Sequence, residues 1–508
     1  MQTYSVLKVH PDDSVAVAIR PLAKGDVVDV AGLKISLVTD IPSGHKFALK
    51  ALVQGEKIIK YGAPIGYAVT DIASGDHVHA SNIKTTLSEH AEYGYDKELS
   101  ERFAQKAEQR RAAWKGKIPT IKAYRRANGT IGIRNELWIV PTVGCVNKIA
   151  ENLVSWAQQN LKKAPFYDGI HVWSHPYGCS QLGDDHEATR TILSDLVHHP
   201  NAGGVLVLSL GCENNTPESF RALVGKVDEN RVKFLTTQEV SDELEESKRL
   251  LTELYEAMRD DKREEVGMDN LIVGFKCGGS DGLSGITANP LVGRFCDTLT
   301  AMGGTGILTE VPEMFGAEQL LMNRAVDEQV YNQIVALIND FKQYFVKHDQ
   351  VVYENPSPGN KAGGISTLED KSLGCIQKGG QAMITDVLGY GDRIKKRGLN
   401  LLNGPGNDIV STTALTASGA HIILFTTGRG TPLGAPVPTI KISSNSALAE
   451  KKANWIDFDA GRLLQEDDET VLSDFLSLIQ RVASGDAMAK NEENGYAEIS
   501  LFKDGVIL

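Results

Sequence analysis

The sequence contains no apolar run of about 18 residues, the length that a membrane-spanning helix needs. Its N-terminal segment alternates in polarity and includes Asp12 and Asp13, so it does not have the uninterrupted apolar stretch of a secretory signal. The sequence therefore predicts a cytoplasmic protein without a membrane partner.

Cysteine is scarce: the 508 residues include only 6. None of them forms a CxxC pair. Widely spaced cysteines in a large chain without an export signal are expected to be reduced thiols, which argues against a disulfide scaffold. The missing CxxC pairs also argue against a structural zinc ribbon.

Positive charge is also in deficit, with a formal net charge of −12. A nucleic-acid-binding surface needs clustered basic residues, so the sequence predicts no nucleic-acid partner. A small anionic substrate is still compatible with this charge, because a local group of lysines, arginines or a metal ion can reverse its sign.

Nucleotide-binding signatures are missing as well: no GxxxxGKS or GxxxxGKT segment occurs, and NGPGND does not have the dinucleotide-binding spacing. The glycine-rich loops of the second half are therefore expected to bind a carboxylate or a hydroxyl group. Lys361 and Arg429 are our candidates for pairing with a substrate carboxylate. Each could equally be a solvated surface charge.

The pattern along the chain changes in a way that indicates several domains. Residues 1–95 alternate in short segments between turn signals, which is typical of a small β domain. Residues 96–120 are highly charged and are expected to form a linker with some helix. Residues 121–265 and 266–508 alternate apolar runs with amphipathic segments, the pattern of parallel βαβ units. The sequence thus predicts an α/β multidomain protein with two parallel-sheet domains after the β domain.

Four cysteines occupy corresponding positions, each in or beside a glycine-containing turn after an apolar strand. Because ligands of parallel α/β sheets bind at the carboxyl ends of the strands, we expect a shared polar cleft there. Cysteine is also a small residue that packs well after a strand, so a structural role stays open for each of them. The four are Cys145, Cys179, Cys212 and Cys277.

The segment HPYGCSQLGDDHEATR has the highest density of chemically active side chains. His175, Cys179, Asp185 and His186 lie at a predicted strand-to-helix junction, where they could bind a divalent metal or transfer protons. Helix capping explains one aspartate, Asp184 or Asp185, without a catalytic role. We take His175 and His186 as candidates for the base or the acid, and Asp185 as a further catalytic candidate.

Histidines of the β domain form a second candidate site. His77 and His79 are two residues apart, so on a strand they share a face, which suits a metal ion or a pair of proton carriers. His45, next to Lys46 in another turn-rich segment, could join that face. An exposed polar strand face explains the same spacing without any ligand.

Longer segments resemble the altronate/galactarate dehydratase family. They include GHKFAL, GDHVHASN, HPYGCSQLGDDH, CGGSDGLSGITANP, TEVPEMFGAEQLL and NPSPGNKAGG, and the resemblance covers almost the whole chain. It implies a SAF (β-clip) domain followed by Rossmann-like catalytic domains, and dehydration of a sugar acid to its 2-keto-3-deoxy acid. Altronate, an intermediate of hexuronate catabolism, is the expected substrate, and galactarate or another aldarate or aldonate is the alternative.

The resemblance also implies a divalent metal, Fe²⁺ in the first place and Mn²⁺ as the alternative. Such a cation would stabilise the enediolate that forms when the C2 proton leaves. The expected metal ligands are His45, His77, His79, Cys179, Cys212 and Glu313. The expected substrate-binding residues are Lys46, Arg134, Asn135, Asn360 and Arg429. The expected catalytic residues are His175, Asp185, His186 and Lys361.

Two other interpretations stay open. Three of the cysteines could hold an iron–sulfur cluster whose open iron acts as the Lewis acid, although no compact cysteine motif supports this. Alternatively, the β domain could bind a sugar in a non-catalytic carbohydrate-binding protein. A homo-oligomer, in the simplest case a dimer, is compatible with each interpretation.

Overall fold

The computed structural model describes residues 5–87 and 93–508. Its described part forms three units, which we call the β-clip unit (5–87), the central unit (120–267) and the C-terminal unit (268–508). The expected fold class is confirmed, because a small β-rich unit precedes two units with parallel sheets. The described helices include none with the length and apolar character needed to cross a bilayer.

The β-clip unit consists of short antiparallel strands. They are β1 (Val6–Leu7), β2 (Val15–Ala18), β3 (Val27–Val30), β4 (Leu33–Ser36), β5 (Lys46–Ala48), β6 (Lys57–Lys60), β7 (Ala63–Ala68), β8 (His77–Val78) and β9 (Ile83–Lys84). The sheet orders are β1-β2-β5-β8, β3-β4 and β6-β7-β9. The SGD turn before β8 requires glycine, because a Cβ on Gly75 would lie 2.1 Å from the carbonyl oxygen of Ser36. Turns of this kind keep the unit small and compact.

A charged helix, α1 (Lys97–Trp114), precedes the central unit, and Asp96 caps its N-terminus. The central unit then alternates strands and helices. They are β10 (Thr120–Arg125), β11 (Ile131–Gly132), β12 (Glu136–Pro141), α2 (Asn147–Asn160), β13 (Gly169–Val172), α3 (Gly183–Val197), β14 (Ala202–Ser209), α4 (Pro217–Val224), β15 (Val232–Thr236), α5 (Glu243–Ala257) and β16 (Arg263–Gly267).

The main sheet of the central unit is parallel, in the order β13-β12-β14-β15. All six residues of β12 are buried, which agrees with its nearly continuous apolar sequence and with coverage of both sheet faces. A second, antiparallel sheet has the order β11-β10-β16. It brings the beginning and the end of the unit together.

The C-terminal unit contains the largest sheet. Its elements are β17 (Ile272–Cys277), α6 (Ala288–Met302), β18 (Thr305–Leu308), α7 (Glu318–Met322), α8 (Glu328–Lys347), α9 (Pro358–Ala362), α10 (Leu368–Cys375), β19 (Ile384–Leu388), β20 (Gly398–Leu402), α11 (Asp408–Ala417), β21 (Ile422–Thr427), β22 (Thr439–Ser443), α12 (Ser446–Lys451), β23 (Phe458–Asp459), α13 (Asp468–Ala483) and α14 (Lys490–Glu493). The sheet order is β19-β20-β18-β17-β21-β22-β23, with parallel pairing throughout. The loops after β17, β18, β20 and β21 therefore meet at one edge.

A buried ion-pair group joins the β-clip unit to the C-terminal unit. Asp370 on α10 accepts hydrogen bonds from Lys46 Nζ and Lys60 Nζ, each at 2.9 Å. Burial opposes ionisation of Asp370, but the two ammonium groups outweigh it and hold the pKa of this carboxyl well below its usual range. The two units are therefore joined by one buried carboxylate that two ammonium groups share.

Candidate functional site

Three histidines of the β-clip unit converge where this unit contacts the C-terminal unit. Antiparallel pairing of β5 with β8 places Phe47 opposite His77, so His45, just before β5, lies near His77 and His79. Nδ1 of His45 is 2.9 Å from Nε2 of His77. One ligand nitrogen from each of the three imidazoles lies within 4.8 Å of the other two. We call these residues the histidine triad.

The histidine triad is uncharged near neutral pH. Burial lowers the pKa of His77 and of His79 to about 4, and the neighbouring imidazoles and the Lys46 ammonium act in the same direction. Burial also lowers the pKa of His45. A neutral imidazole offers a lone pair to a divalent cation, and imidazole nitrogen suits iron. The donor set therefore fits the divalent metal that the sequence analysis expects.

Glycine-rich loops of the C-terminal unit face the histidine triad. Nε2 of His45 is 3.3 Å from the carbonyl oxygen of Ala362, at the end of α9. A Cβ on Gly282 would lie only 1.9 Å from the carbonyl oxygen of Gly44, so a larger residue would push the two units apart. The loop after β17 and the segment around α9 thus form one wall of the junction between the two units, and the triad forms the other; we call this junction the cleft.

Polar and basic side chains of the C-terminal unit occupy this wall. Asn360 is buried, donates to the carbonyl oxygen of Ser280 at 2.9 Å and accepts from Lys371 Nζ at 3.2 Å. Lys361 is half-buried and Arg429 is exposed, and among the described residues neither has an acidic partner. Two cationic side chains without a protein carboxylate are suited to bind the carboxylate of a ligand.

A second group of side chains lies at the carboxyl edge of the seven-stranded sheet. The sulfur atoms of Cys277 and Cys375 are 3.3 Å apart, and Oε2 of Glu313 is 3.2 and 3.1 Å from them. All three residues are buried and their ligand atoms lie within 4.8 Å of one another. We call them the thiol–glutamate group.

Lysines surround the thiol–glutamate group. Lys371 Nζ is 2.8 Å from Oε1 of Glu313, and Lys276 and Lys378 both bond to the neighbouring Glu310. Burial opposes ionisation of Glu313, but the lysines outweigh it and hold its pKa well below the usual range. The contact with Cys277 and burial raise the pKa of the Cys375 thiol. Because ammonium groups already balance the carboxylates here, the histidine triad is the better site for a cation.

The residues expected to bind a metal are divided among three places. His45, His77 and His79 form the histidine triad, whereas Glu313 belongs to the thiol–glutamate group. Cys179 and Cys212 are exposed in the central unit, where they follow β13 and β14.

The expected cleft shared by four cysteines needs a correction. Cys145, Cys179 and Cys212 follow three neighbouring strands of the central sheet, whereas Cys277 ends β17 of the seven-stranded sheet. The chain starts a new sheet after β16, so the fourth cysteine cannot join the other three along one sheet edge.

The catalytic candidates of the central unit have structural contacts. Nε2 of His175 lies 2.9 Å from the carbonyl oxygen of Pro141, and its Nδ1 accepts from the backbone N–H of Tyr177 at 3.2 Å, so the backbone occupies both nitrogens. Burial lowers the pKa of His175 to about 4. Asp185 accepts from the backbone N–H groups of Asp504 and Gly505 at 2.9 and 2.6 Å. His186 follows it on α3, so these residues and the histidine triad belong to different units.

Three expected substrate-binding residues already have hydrogen-bond partners within the protein. Arg134 forms a two-fold contact with Glu492 at 2.6 and 2.9 Å, which ties the central unit to the C-terminal unit. Asn135 is fully buried and donates to the carbonyl oxygen of Phe166 at 2.6 Å. Lys46 is bonded to Asp370. Asn360 and Lys361 lie on α9, and Arg429 lies beside this helix, because a Cβ on Gly359 would be 3.9 Å from Cδ of Arg429.

Asp370, Lys371 and Cys375 were not among the residues expected at the site. All eight residues of α10 are buried, although its sequence LEDKSLGC contains three charges and would be interpreted as an exposed helix. The adjacent acidic and basic residues were the only signal. Their partners Lys46, Lys60 and Glu313 come from distant segments, which sequence spacing cannot reveal.

Comparison with known families gives matches for each unit. Residues 4–86 match the family described as Altronate/galactarate dehydratase SAF domain. Residues 123–259 match D-galactarate dehydratase/Altronate hydrolase, second domain. Residues 268–507 match D-galactarate/Altronate dehydratase, C-terminal.

Individual relatives match over their full length. The altronate dehydratase of Escherichia coli K12 is 52% identical over 503 residues, which cover 99% of each chain. The altronate dehydratase of Bacillus subtilis 168 is 52% identical over 507 residues, which cover 99% of this chain and 100% of the relative. The galactarate dehydratase (L-threo-forming) of Escherichia coli K12 is 34% identical over 510 residues, with 94% and 92% coverage.

Proposed function

The chain belongs to the altronate/galactarate dehydratase family, and we propose that it dehydrates D-altronate to 2-dehydro-3-deoxy-D-gluconate with the help of a divalent metal. Altronate is preferred over galactarate because the sequence identity to two altronate dehydratases, 52%, exceeds the 34% identity to a galactarate dehydratase. We further propose that the reaction belongs to cytoplasmic hexuronate breakdown and that the enzyme can form a homodimer.

The observation that carries the proposal is the opposition of neutral imidazoles and cationic side chains across one cleft. The histidine triad would hold Fe²⁺ or Mn²⁺, which supplies positive charge where the enediolate develops. Lys361 and Arg429, on the opposite wall, would bind the carboxylate of the sugar acid and orient its C2–H bond.

The buried floor of the cleft suits the second half of the reaction. Loss of the C3 hydroxyl is assisted by positive charge near the departing oxygen, and Lys371 stays cationic, because Glu313 and the nearby thiols outweigh burial and raise its pKa. Asn360 accepts a hydrogen bond from Lys371 and so fixes the direction of its ammonium group. The close glycine contacts between the two units limit the access of water to this floor.

The test is a substrate panel with the purified chain. We would incubate it with Fe²⁺ or Mn²⁺ and with altronate, galactarate and further aldonates and aldarates, and measure 2-keto-3-deoxy product. Formation of product from altronate at the highest kcat/KM, and its loss after chelation, is expected. Preferred turnover of galactarate would contradict the substrate, full turnover after complete metal removal would contradict the metal, and saturable binding without product would indicate a carbohydrate-binding protein.

A further inference from the structure

A Gly-Cys dipeptide follows three neighbouring strands of the central sheet. Cys145 comes after β12, Cys179 after β13 and Cys212 after β14, and β12 pairs in parallel with both neighbours. All three thiols are exposed. The carboxyl ends of parallel strands lie at one edge of a sheet, so the three cysteines share that edge.

The glycines before the cysteines allow the loops to approach one another closely. A Cβ on Gly144 would lie 2.9 Å from the carbonyl oxygen of His175, and one on Gly178 would lie 2.0 Å from that of Thr142. Gly178 and Gly211 also have positive φ angles of 97° and 127°. Backbone with a positive φ angle favours glycine. These glycines therefore set where the cysteines that follow them lie.

Hydrogen bonds join the three cysteine loops directly. The N–H of Gly144 donates to the carbonyl oxygen of Tyr177 at 2.9 Å, and the N–H of Ser180 donates to Oδ1 of Asn214 at 2.8 Å. Thr142 Oγ1 donates to Oε1 of Glu213 at 2.7 Å. Each contact lies within three residues of a cysteine on both sides, so the loops form one continuous surface. We call it the three-cysteine surface.

Within three residues of each cysteine lies a buried amide atom without a hydrogen-bond partner among the described residues. These atoms are Oδ1 of Asn147, Nε2 of Gln181 and Oδ1 of Asn215. Gln181 and Asn215 are almost fully buried, at 2% and 0% exposure. Buried polar groups are normally paired, and their concentration on these loops indicates a ligand whose atoms would complete the pairing.

The arrangement of the three sulfur atoms argues against a single metal ion. A single ion with metal–sulfur bonds of about 2.3 Å holds its sulfurs roughly 3.8 Å apart. The sulfurs of Cys145, Cys179 and Cys212 are not a set that lies within 4.8 Å of one another, unlike the thiol–glutamate group. A cubane cluster binds each cysteine to a different iron and so accepts wider spacing. The helices α2, α3 and α4 begin just after the three cysteines, and their N-termini favour an anionic group such as a thiolate-bound cluster.

We infer that the three-cysteine surface binds a [4Fe–4S] cluster through Cys145, Cys179 and Cys212. The fourth iron has no cysteine and is open to a small oxygen ligand such as a hydroxyl or a carboxylate. The site belongs to the central unit and differs from the histidine triad in position and donor type. The assignment does not depend on altronate as the substrate.

The last residues of the chain border this surface. The N–H of Leu508 donates to the carbonyl oxygen of Ser180 at 2.9 Å, and Ile507 pairs with Gln181. Val506, Ile507 and Leu508 are exposed, as is Leu182 on the neighbouring loop. These apolar side chains form a rim that would restrict solvent around a cluster.

The experiment uses the full chain, expressed with added iron and purified without oxygen. Iron and acid-labile sulfide are measured per chain, together with visible absorption and electron paramagnetic resonance after reduction by dithionite. We expect about four sulfides per chain and a paramagnetic signal of the reduced cluster. If the purified protein lacks sulfide, reconstitution with ferrous iron and sulfide follows, and failure of both preparations to hold a cluster would overturn the inference.

Variants separate the cluster from the proposed metal of the histidine triad. Cys179→Ser and Cys212→Ser should each lose the sulfide and the paramagnetic signal, whereas His77→Ala and the matched thiol control Cys277→Ser should retain both. Circular dichroism and the Tm check that the serine variants are folded, as exposed positions lead us to expect. Unchanged sulfide in both folded serine variants would contradict the site, whatever their altronate turnover.

Discussion

Nδ1 of His45, the residue just before β5, lies 2.9 Å from Nε2 of His77 on β8, the strand that pairs with β5 in the β-clip unit. Burial keeps both rings neutral, so the two nitrogens either share one proton or offer two lone pairs to one cation. In the second case His79 completes a three-nitrogen face directed at the C-terminal unit.

His77→Ala should therefore reduce metal affinity. Loss of a residue that only supports a metal ligand typically costs 10- to 100-fold in affinity, so removal of the ligand itself should cost at least about 100-fold. The measurement is a titration of the metal-free protein with Fe²⁺ or Mn²⁺, together with altronate turnover. His10→Ala, an exposed histidine of the same unit, is the matched control and should bind metal as the wild type does. Equal affinity in His77→Ala would remove the histidine triad as the metal site.

Arg429→Ala should weaken substrate binding without unfolding the protein, because its side chain is exposed. A charge-assisted hydrogen bond contributes about 1.5–3 kcal/mol, which corresponds to a decrease of about 10- to 150-fold in kcat/KM. Steady-state kinetics with altronate measure the effect. Arg481→Ala, on the exposed last turn of α13, should have wild-type kinetics. If Arg429→Ala keeps its kcat/KM, the carboxylate of the substrate is bound elsewhere.

Asp370→Asn should strongly destabilise the joint between the β-clip unit and the C-terminal unit. The substitution leaves the Lys46 and Lys60 ammonium groups buried against a neutral amide, and breaking a buried ion pair in this way costs about 3–5 kcal/mol. A large decrease in Tm is the expected result. Glu56→Gln breaks the exposed Lys50–Glu56 pair of the same unit and should cost less than about 1 kcal/mol. Equal small decreases in Tm for both variants would show that the buried group does not hold the units together.

Glu136→Gln should change how stability depends on pH. Burial raises the pKa of Glu136 to about 8, from an ordinary value of 4.5. The folded state thus keeps a proton that the unfolded chain releases, and its stability falls as pH rises through this range, by up to about 1.4 kcal/mol per pH unit. Glutamine removes this dependence and can still accept the hydrogen bond that Trp138 Nε1 donates at 2.7 Å.

The Tm difference between Glu136→Gln and the wild type should therefore increase in favour of the variant from about pH 5 to about pH 8. Scanning calorimetry at several pH values measures it. Glu187→Gln, at an exposed position on α3, is the matched control and should show a constant difference. A constant difference for Glu136→Gln as well would mean that Glu136 is ionised in the folded protein.

The order of domains and the parallel sheets could be predicted from the sequence, because apolar runs such as that of β12 report burial on both faces of a sheet. The proximity of His77 and His79 was also accessible, since strand residues two apart share a face. His45 was also an expected member of this group, but its distance from His77 depends on the register between β5 and β8, which are about 30 residues apart in sequence.

Long-range charge pairing explains most of what the sequence could not reveal. Arg134 looked like a substrate-binding residue, but its partner Glu492 lies in another unit and was not recognisable. The contact between Cys277 and Cys375 was also not recognisable from the sequence, since the second cysteine ends a helix and not a strand. Residues that neutralise one another across units have no periodicity by which they could be found.

Asp370 distributes its two carboxylate oxygens between ammonium groups that belong to a different part of the chain. Without its partner, the C-terminal unit would bury an unpaired carboxylate, and the β-clip unit would present two ammonium groups without a counter-charge. The two parts are thus obligate partners. Joining them in one polypeptide gives each partner a high effective concentration of the other, so assembly of the cleft does not depend on how dilute the protein is.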